Sequence, residues 1–368
     1  MSSAGATLAE LDTPSLLVDL DVLEANLAEM AAVAGRAGVR LRPHTKTHKS
    51  PEIALMQLQA GAAGITCAKL GEAEVMADAG LDDLLIAYPL VGEHKLRRLR
   101  DLLERSRVRV SLDSVEVAEG IGRVGRALGR DVEVLVEVDT GLHRLGRPPG
   151  PPTAELVGRL ARVPGVRVVG LLTHAGHAYR ARTPDELRRL AEREVLDLVE
   201  TAALCRRQGI DLPEVSVGST PTARAGAFVD GVTEIRPGTY ALNDATMVRL
   251  GVATEASTAA HVLVTVVARP TGERFVVDAG SKCFTTDNMG TVPDWLVVAG
   301  RPDLHLDFLS EEHGVGHRDG GEELRIGDRL QVIPSHACGC VNLFDVAYGV
   351  RQGKVERELP IAGRGRVR

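Results

Sequence analysis

Apolar residues fall along this chain in short unbroken runs, separated by longer stretches in which they recur at helical spacing. The runs at residues 39–44, 64–69, 84–88, 108–112, 132–139, 166–174, 215–219 and 233–236 read as strands. Most are continuous rather than alternating, which suits parallel strands covered on both faces. Between them, residues 93–104, 152–162 and 184–208 carry apolar positions at helical spacing. Upstream, the run 16–20 ends in Asp21, a candidate cap for a helix over 22–35. Eight βα units in roughly 230 residues predict an α/β fold with a TIM (β/α)8 barrel. The competitor is an open doubly wound sheet. Against it, the first βα turn has no G-x-G-x-x-G, and reactive residues end many strands rather than one switch point.

After about Val252 the pattern changes. Residues 262–268, 274–278, 304–309, 329–333 and 355–359 read as short strands joined by Gly, Pro and Asp turns, with no long helix between them. This predicts a barrel domain over 11–252 and a mostly β domain over 253–368. At 368 residues the chain is long enough for two cores. A net charge of -6 with interspersed arginines removes the electrostatic case for nucleic acid, and 3% aromatics leave few platforms for stacking bases. Five scattered cysteines argue against a disulfide framework and for a reducing compartment. No run is long and uncharged enough to span a bilayer, and residues 1–10 lack a basic, apolar leader, so the expectation is a cytoplasmic protein without a membrane partner.

Chemistry concentrates in Arg42-Pro43-His44-Thr45-Lys46-Thr47-His48-Lys49, which closes the first of the eight runs and precedes Ser50-Pro51-Glu52, a helix start. A lysine held at the end of a buried strand suits a Schiff-base role. A solvated basic turn is the plainer reading of K-x-x-K alone, but two histidines interleave here and later strand ends supply matching parts. Those parts are Asp139 with residues 140–146, His174 with His177 and Tyr179, Gly218-Ser219-Thr220-Pro221-Thr222, and Arg236-Pro237-Gly238-Thr239-Tyr240. In a barrel such ends face one mouth. The two Gly/Ser/Thr loops offer N–H groups and hydroxyls that could cradle a phosphate, and lysine plus phosphate cradle suggests pyridoxal phosphate. G-S-T-P-T is also an ordinary turn, and on spacing alone the turn is the favoured reading.

The segments Val138-Asp139-Thr140-Gly141-Leu142-His143-Arg144-Leu145-Gly146 and Ile235-Arg236-Pro237-Gly238-Thr239-Tyr240 resemble signatures of the alanine racemase type pyridoxal phosphate barrel. P-H-T-K-T-H-K, T-H-A-G-H-A-Y and P-S-H-A-C-G-C resemble the branch containing D-serine dehydratases and D-threonine aldolases. The resemblance runs from Leu11 to about Val350. It implies Lys46 as the Schiff-base residue, with Arg236 facing the pyridine nitrogen. It further implies Ser219, Thr220, Gly238 and Thr239 at the phosphate, Tyr240 among the cofactor-binding residues, and Arg144 and His174 flanking the ring, with Lys46, His174 and His44 as the catalytic residues. An arginine opposite the pyridine nitrogen accepts no proton from it, so the ring stays a weaker electron sink and another electrophile should help. His336 and Cys338 offer one: two residues apart, they share a face if the backbone is extended, and imidazole with thiolate suits a divalent metal, zinc or manganese. The resemblance gives this pair that metal. Cys340 reads as structural.

The implied reaction is lysis of a D-β-hydroxy-α-amino acid. Elimination by a D-serine or D-threonine dehydratase is favoured over retro-aldol cleavage, because the aldolases more often carry a carboxylate at the second metal position. A racemase would need a tyrosine acid/base from the C-terminal domain, where only Tyr348 stands. A non-catalytic pyridoxal phosphate carrier would lack residues 253–368. The resemblance also implies a homodimer. The histidines 305, 313 and 317 are spaced too irregularly to define a site and read as surface residues.

Overall fold

The eight apolar runs of the first part of the chain all become parallel strands. In this computed structural model, which describes residues 4–287 and 296–368, β1 (Ser15–Asp19) and α1 (Leu20–Ala37) come first. Alternation then begins: β2 (Arg40–Leu41), α2 (Pro51–Gln59), β3 (Ile65–Cys67), α3 (Leu70–Asp78), β4 (Asp83–Ile86), α4 (Glu93–Leu103), β5 (Arg107–Leu112) and α5 (Val115–Ala127). It continues with β6 (Val132–Glu137), α6 (Pro151–Leu160), β7 (Val166–Leu172), α7 (Pro184–Arg207), β8 (Glu214–Val217), α8 (Thr220–Gly226), β9 (Glu234–Ile235) and α9 (Ala245–Arg249).

The remainder is β10 (Ala260–Ala268), β11 (Arg274–Val277), α10 (Ser281–Phe284), β12 (Val297–Val298), β13 (Leu304–Leu309), β14 (Gly314–Arg318), β15 (Arg329–Ile333), α11 (Ala337–Val341), β16 (Val346–Arg351) and β17 (Lys354–Pro360). The chain divides into two compact units. One holds Ala28–Lys46, Ala54–Gly238 and Gly365–Arg368; the other holds Met1–Leu27, Thr47–Ile53 and Thr239–Arg364.

In the first unit the eight strands run in the order β2-β9-β8-β7-β6-β5-β4-β3, every neighbouring pair parallel. Beyond its outermost strands, His44 bridges Thr66 in parallel. Apolar packing of Leu85, Leu135, Val169 and Leu172 fills part of the core. Charged residues fill another part: Arg42 is 1% exposed and donates to Glu234 (2.8 Å) and Asp83 (2.7 Å), while Arg109 meets Glu133 and Glu214. Such cations stay inside a sheet only because each is paired there.

In the second unit nine strands follow the order β11-β14-β13-β12-β15-β10-β1-β16-β17. β11 also pairs with β10, so six of these strands form a ring. The run at 16–20 is β1, inserted between β10 and β16 rather than leading into the parallel sheet. That pairing draws the N-terminal residues into this unit. The helix cap differs from expectation too. Asp19, at the end of β1, accepts the Val22 N–H at 3.0 Å, which leaves Asp21 as an acidic first-turn residue. β12, β14 and β16 carry no apolar run readable from the sequence, because they are short or interrupted by glycine.

Candidate active site

All eight strands of the first unit point the same way, so whatever follows their C-termini gathers at one end of the sheet. His44 and Lys46 follow β2, Arg144 follows β6, His174 follows β7, Ser219 and Thr220 follow β8, and Arg236 and Gly238 follow β9. Backbone bonds fix the segments: His44 N–H donates to Pro237 O (2.9 Å), and Gly238 N–H donates to Thr220 Oγ1 (3.2 Å). The β6 loop is built on Asp139, whose Oδ1 accepts the amides of Gly141 (3.0 Å) and His143 (2.9 Å). Gly146 closes that loop at φ +96°, where a Cβ would stand 2.8 Å from the Asp139 amide. Gly218 is required for a similar reason, since a Cβ there would meet Arg236 N at 2.7 Å.

His44, His174, Lys46, Arg236 and Arg144 are close enough to act on one another electrostatically. Burial first, and then the charge of Lys46, hold both histidines well below the usual imidazole range, so both are neutral near pH 7. His174 Nδ1 stands 2.7 Å from the Gly218 carbonyl; a carbonyl only accepts, so Nδ1 carries the proton and Nε2 the lone pair. Arg236 donates to Ser216 Oγ (2.7 Å) and to Thr173 O (2.5 Å), and Ser216 in turn donates to Glu234, the partner of Arg42. Its Nε–H is buried with no partner among the described residues. Arg144 is exposed, 3.9 Å from Glu137. His48 and Lys49 lie in the turn before α2, where His48 Nδ1 accepts the Ser50 amide.

Sequence reasoning missed Glu194. It lies on the buried stripe of α7, and its Oε1 accepts the amides of Ala175 (3.2 Å) and Gly218 (3.1 Å), joining the loops after β7 and β8. A charged residue on the apolar face of a long helix was the available signal.

Thr239 and Tyr240 belong to the second unit, as do His336 and Cys338. These last two are not on an extended strand. His336 caps α11 and Cys338 stands in its first turn, so a strand-to-helix turn brings imidazole and thiol together where strand alternation was expected to. His336 Nδ1 lies 2.8 Å from Asp287 Oδ2; Cys338 Sγ lies 3.1 Å from Thr47 Oγ1 and 3.8 Å from Thr239 Oγ1. Asp244 caps α9 and accepts the Ala337 amide at 2.9 Å, which fixes the turn. Burial opposes a charged His336, but Cys338, Asp244 and Asp287 outweigh it and raise it to about 10. An imidazole and a cysteine sulfur side by side are a donor set a divalent ion can take. Cys340, buried, donates to the Cys283 carbonyl, in keeping with a structural role.

A lysine and an arginine thus stand at the ends of parallel strands with Ser/Thr loops between them, as the resemblance to the alanine racemase type implied. Residues 18–253 match the family "Alanine racemase, N-terminal domain", and residues 259–350 match "Putative serine dehydratase domain". The chain belongs to this alanine racemase-like family, in its branch of lyases. It is 39% identical over 354 residues to D-threo-3-hydroxyaspartate dehydratase of Delftia sp. (strain HT23), covering 90% of this chain and 92% of that one. It is 36% identical to D-threonine aldolase of Arthrobacter sp, covering 98% and 95%. The crystal structure of D-threonine aldolase from Filomicrobium marinum superposes with a TM-score of 0.93 at 35% identity over 99% of each chain. Structures of the hydroxyaspartate dehydratase include a histidine-to-alanine variant and, in metal-free form, a cysteine-to-alanine variant two positions further on. No helix among the described residues is long and apolar enough to cross a membrane.

Proposed function

We propose that this chain is a pyridoxal-phosphate- and divalent-metal-dependent lyase that eliminates water from a D-β-hydroxy-α-amino acid. The observation that carries the reading is the meeting of Lys46, His44, His174 and Arg236 at one end of the parallel sheet. The residues fit the cofactor: the buried Nε–H of Arg236 has no partner among the described residues, and Ser219, Thr220 and Gly238, brought together by the Gly238 N–H to Thr220 Oγ1 bond, would hold the phosphate. Lys46 would hold the cofactor, Arg236 its pyridine nitrogen, Thr239 its phosphate with Tyr240 adjoining, and Arg144 and His174 its ring. His336 and Cys338 fit a metal as donors, and the thiolate favours zinc over manganese.

When bound, pyridoxal phosphate supplies an electron sink for charge at Cα, and the divalent ion a Lewis acid for the β-hydroxyl. The protein does the rest. Lys46 would hold the cofactor, and its Nζ, when free, would remove the α-proton of the substrate. Neutral His174 keeps its lone pair at Nε2, so the ring adds no positive charge beside Lys46 and the amine can act as a base. His44 Nδ1 faces the Lys46 amide at 3.4 Å and orients the lysine segment. Permanently charged Arg236 limits the electron sink, so leaving-group activation bears more of the barrier.

Three further readings belong to the same proposal. The eight strands close into a complete (β/α)8 barrel, supported by the His44–Thr66 bridge and the bonds Thr45 N–H to Thr66 O (2.8 Å) and Thr66 N–H to Pro43 O (2.7 Å). Residues 11–252 act as the cofactor module and 253–368 as the module carrying the metal pair. The protein works as a cytoplasmic homodimer, its five free cysteines suiting a reducing compartment; full activity at monomeric mass would overturn the dimer.

The test is product analysis of the holoprotein with D-serine, D-threonine, D-threo-3-hydroxyaspartate and the L-forms, with Lys46→Ala as control. A 2-oxo acid plus ammonia is expected from a D-substrate, with none from the variant. Glycine plus an aldehyde would establish the retro-aldol alternative, and α-proton exchange alone would point to a racemase.

A further inference from the structure

We propose that the β13–β14 hairpin carries a second divalent-metal site, formed by His305, His317 and Asp319. The two histidines are directly paired across the antiparallel ladder, His305 on β13 opposite His317 on β14. Asp307 follows His305 by two residues within β13, and Asp319 comes directly after the end of β14. The register shifts between Leu306 and Phe308, leaving Asp307 as the extra residue of a bulge, with its carboxylate turned to His317. The imidazole rings stack with centroids 4.8 Å apart and an interplanar angle of 22°.

Two features separate this cluster from an ordinary surface ion pair. Asp307 Oδ2 lies 2.7 Å from His317 Nδ1, so Nδ1 carries the proton and, in the neutral ring, Nε2 presents its lone pair outward. That is the carboxylate–histidine arrangement which fixes the tautomer of a metal ligand. Both Nε2 atoms then converge on one carboxylate: His305 Nε2 lies 3.4 Å from Asp319 Oδ2, and His317 Nε2 lies 3.5 Å from Oδ1. These distances are at the long limit of a hydrogen bond, yet close to the roughly 3.3–3.5 Å that separates ligand atoms around a tetrahedral zinc ion.

All three donor atoms lie within 4.8 Å of one another. One divalent ion would engage both imidazoles and the carboxylate together. Arg274, the β11 partner of His317, opposes the ion's charge, which sets an affinity below that of a closed structural site. The side chains are partly exposed, leaving an entry path and a fourth position for water. The occupant is a borderline ion such as zinc, bound by two imidazoles and a carboxylate.

Zinc binding to the pyridoxal-phosphate-loaded protein, measured by equilibrium dialysis and elemental analysis, tests this. The full chain should bind one more zinc per chain than His317→Ala, and Asp319→Asn should weaken that ion at least tenfold. The difference between the proteins counts this site whether or not His336 and Cys338 are filled, and His336→Ala should keep it. Turnover should survive in His317→Ala. Copper(II) bound to His336→Ala should show hyperfine coupling to two nitrogens in paramagnetic resonance, reduced to one by adding His305→Ala. An unchanged zinc count in both His317→Ala and Asp319→Asn, each folded by circular dichroism, would overturn the site.

Discussion

Glu194 shows how one buried carboxylate can set the shape of a site without touching its reacting atoms. Its Oε1 holds the amides of Ala175 and Gly218, and Gly218 in turn accepts His174 Nδ1–H. Glu194→Ala would leave two buried N–H groups unpaired, a cost of about 1–3 kcal/mol each. We expect a lower melting temperature and weaker cofactor affinity in fluorescence titration, while Glu194→Gln, which still accepts, recovers most of both. His174 gives a pH signature. Its folded pKa lies well below 6.5, so the unfolded chain takes the proton first. The stability due to the neutral ring is complete above about pH 6.5 and is lost as pH falls toward the folded pKa. Cofactor-free protein should therefore lose melting temperature between pH ~7 and ~5.5, and His174→Asn should lose less over the same range. The strand-end residues were legible in the sequence because each closes an apolar run. Glu194 was not, because its partners are backbone amides supplied by other parts of the chain.

At the scale of elements, the parallel strands were readable because burial on both faces leaves no polar alternation to confuse the pattern. What that pattern hid was the charge inside them. Arg42, Glu234, Ser216 and Arg236 form a hydrogen-bonded chain running through the sheet interior toward the strand ends. Burial alone would push the Glu234 carboxyl up, but Arg42 and Ser216 hold it below the usual range. Glu234→Ala would strand Arg42 beside Asp83 alone, costing about 3–5 kcal/mol, the penalty for breaking a buried pair from one side. Denaturant unfolding should show that loss with an unchanged slope; a shift under about 1 kcal/mol would mean that Asp83 alone suffices for Arg42. Two features of the second unit were illegible for a different reason. H-x-C fits an extended strand and a helix start equally well, and Asp244, nearly a hundred residues upstream, decides for the turn by accepting the Ala337 amide. His305 and His317 meet only through hairpin register, which spacing along the chain does not display.

At the scale of the whole molecule, the proposed function puts the lysine that anchors the cofactor and the pair that holds the metal in different units, so their losses should separate. Lys46, His174 and Arg236 stand in one unit; His336, Cys338 and Asp287 stand in the other. Asp287 accepts from His336 Nδ1, fixing the tautomer that leaves Nε2 for a metal. Asp287→Ala should weaken the proposed metal at His336 and Cys338 about 10–100-fold, the usual effect of removing such a partner. Activity titrated with zinc should shift by that factor, while the visible absorbance of the Lys46-bound cofactor stays as in the wild type. A chelator should abolish turnover in both proteins and leave that absorbance in place. Cofactor loss along with the metal would tie the two groups in one folding unit, against the division of labour proposed. Turnover that survives chelation would instead remove the metal from the reaction, leaving His336 and Cys338 as a structural pair and elimination to be driven from Lys46 alone.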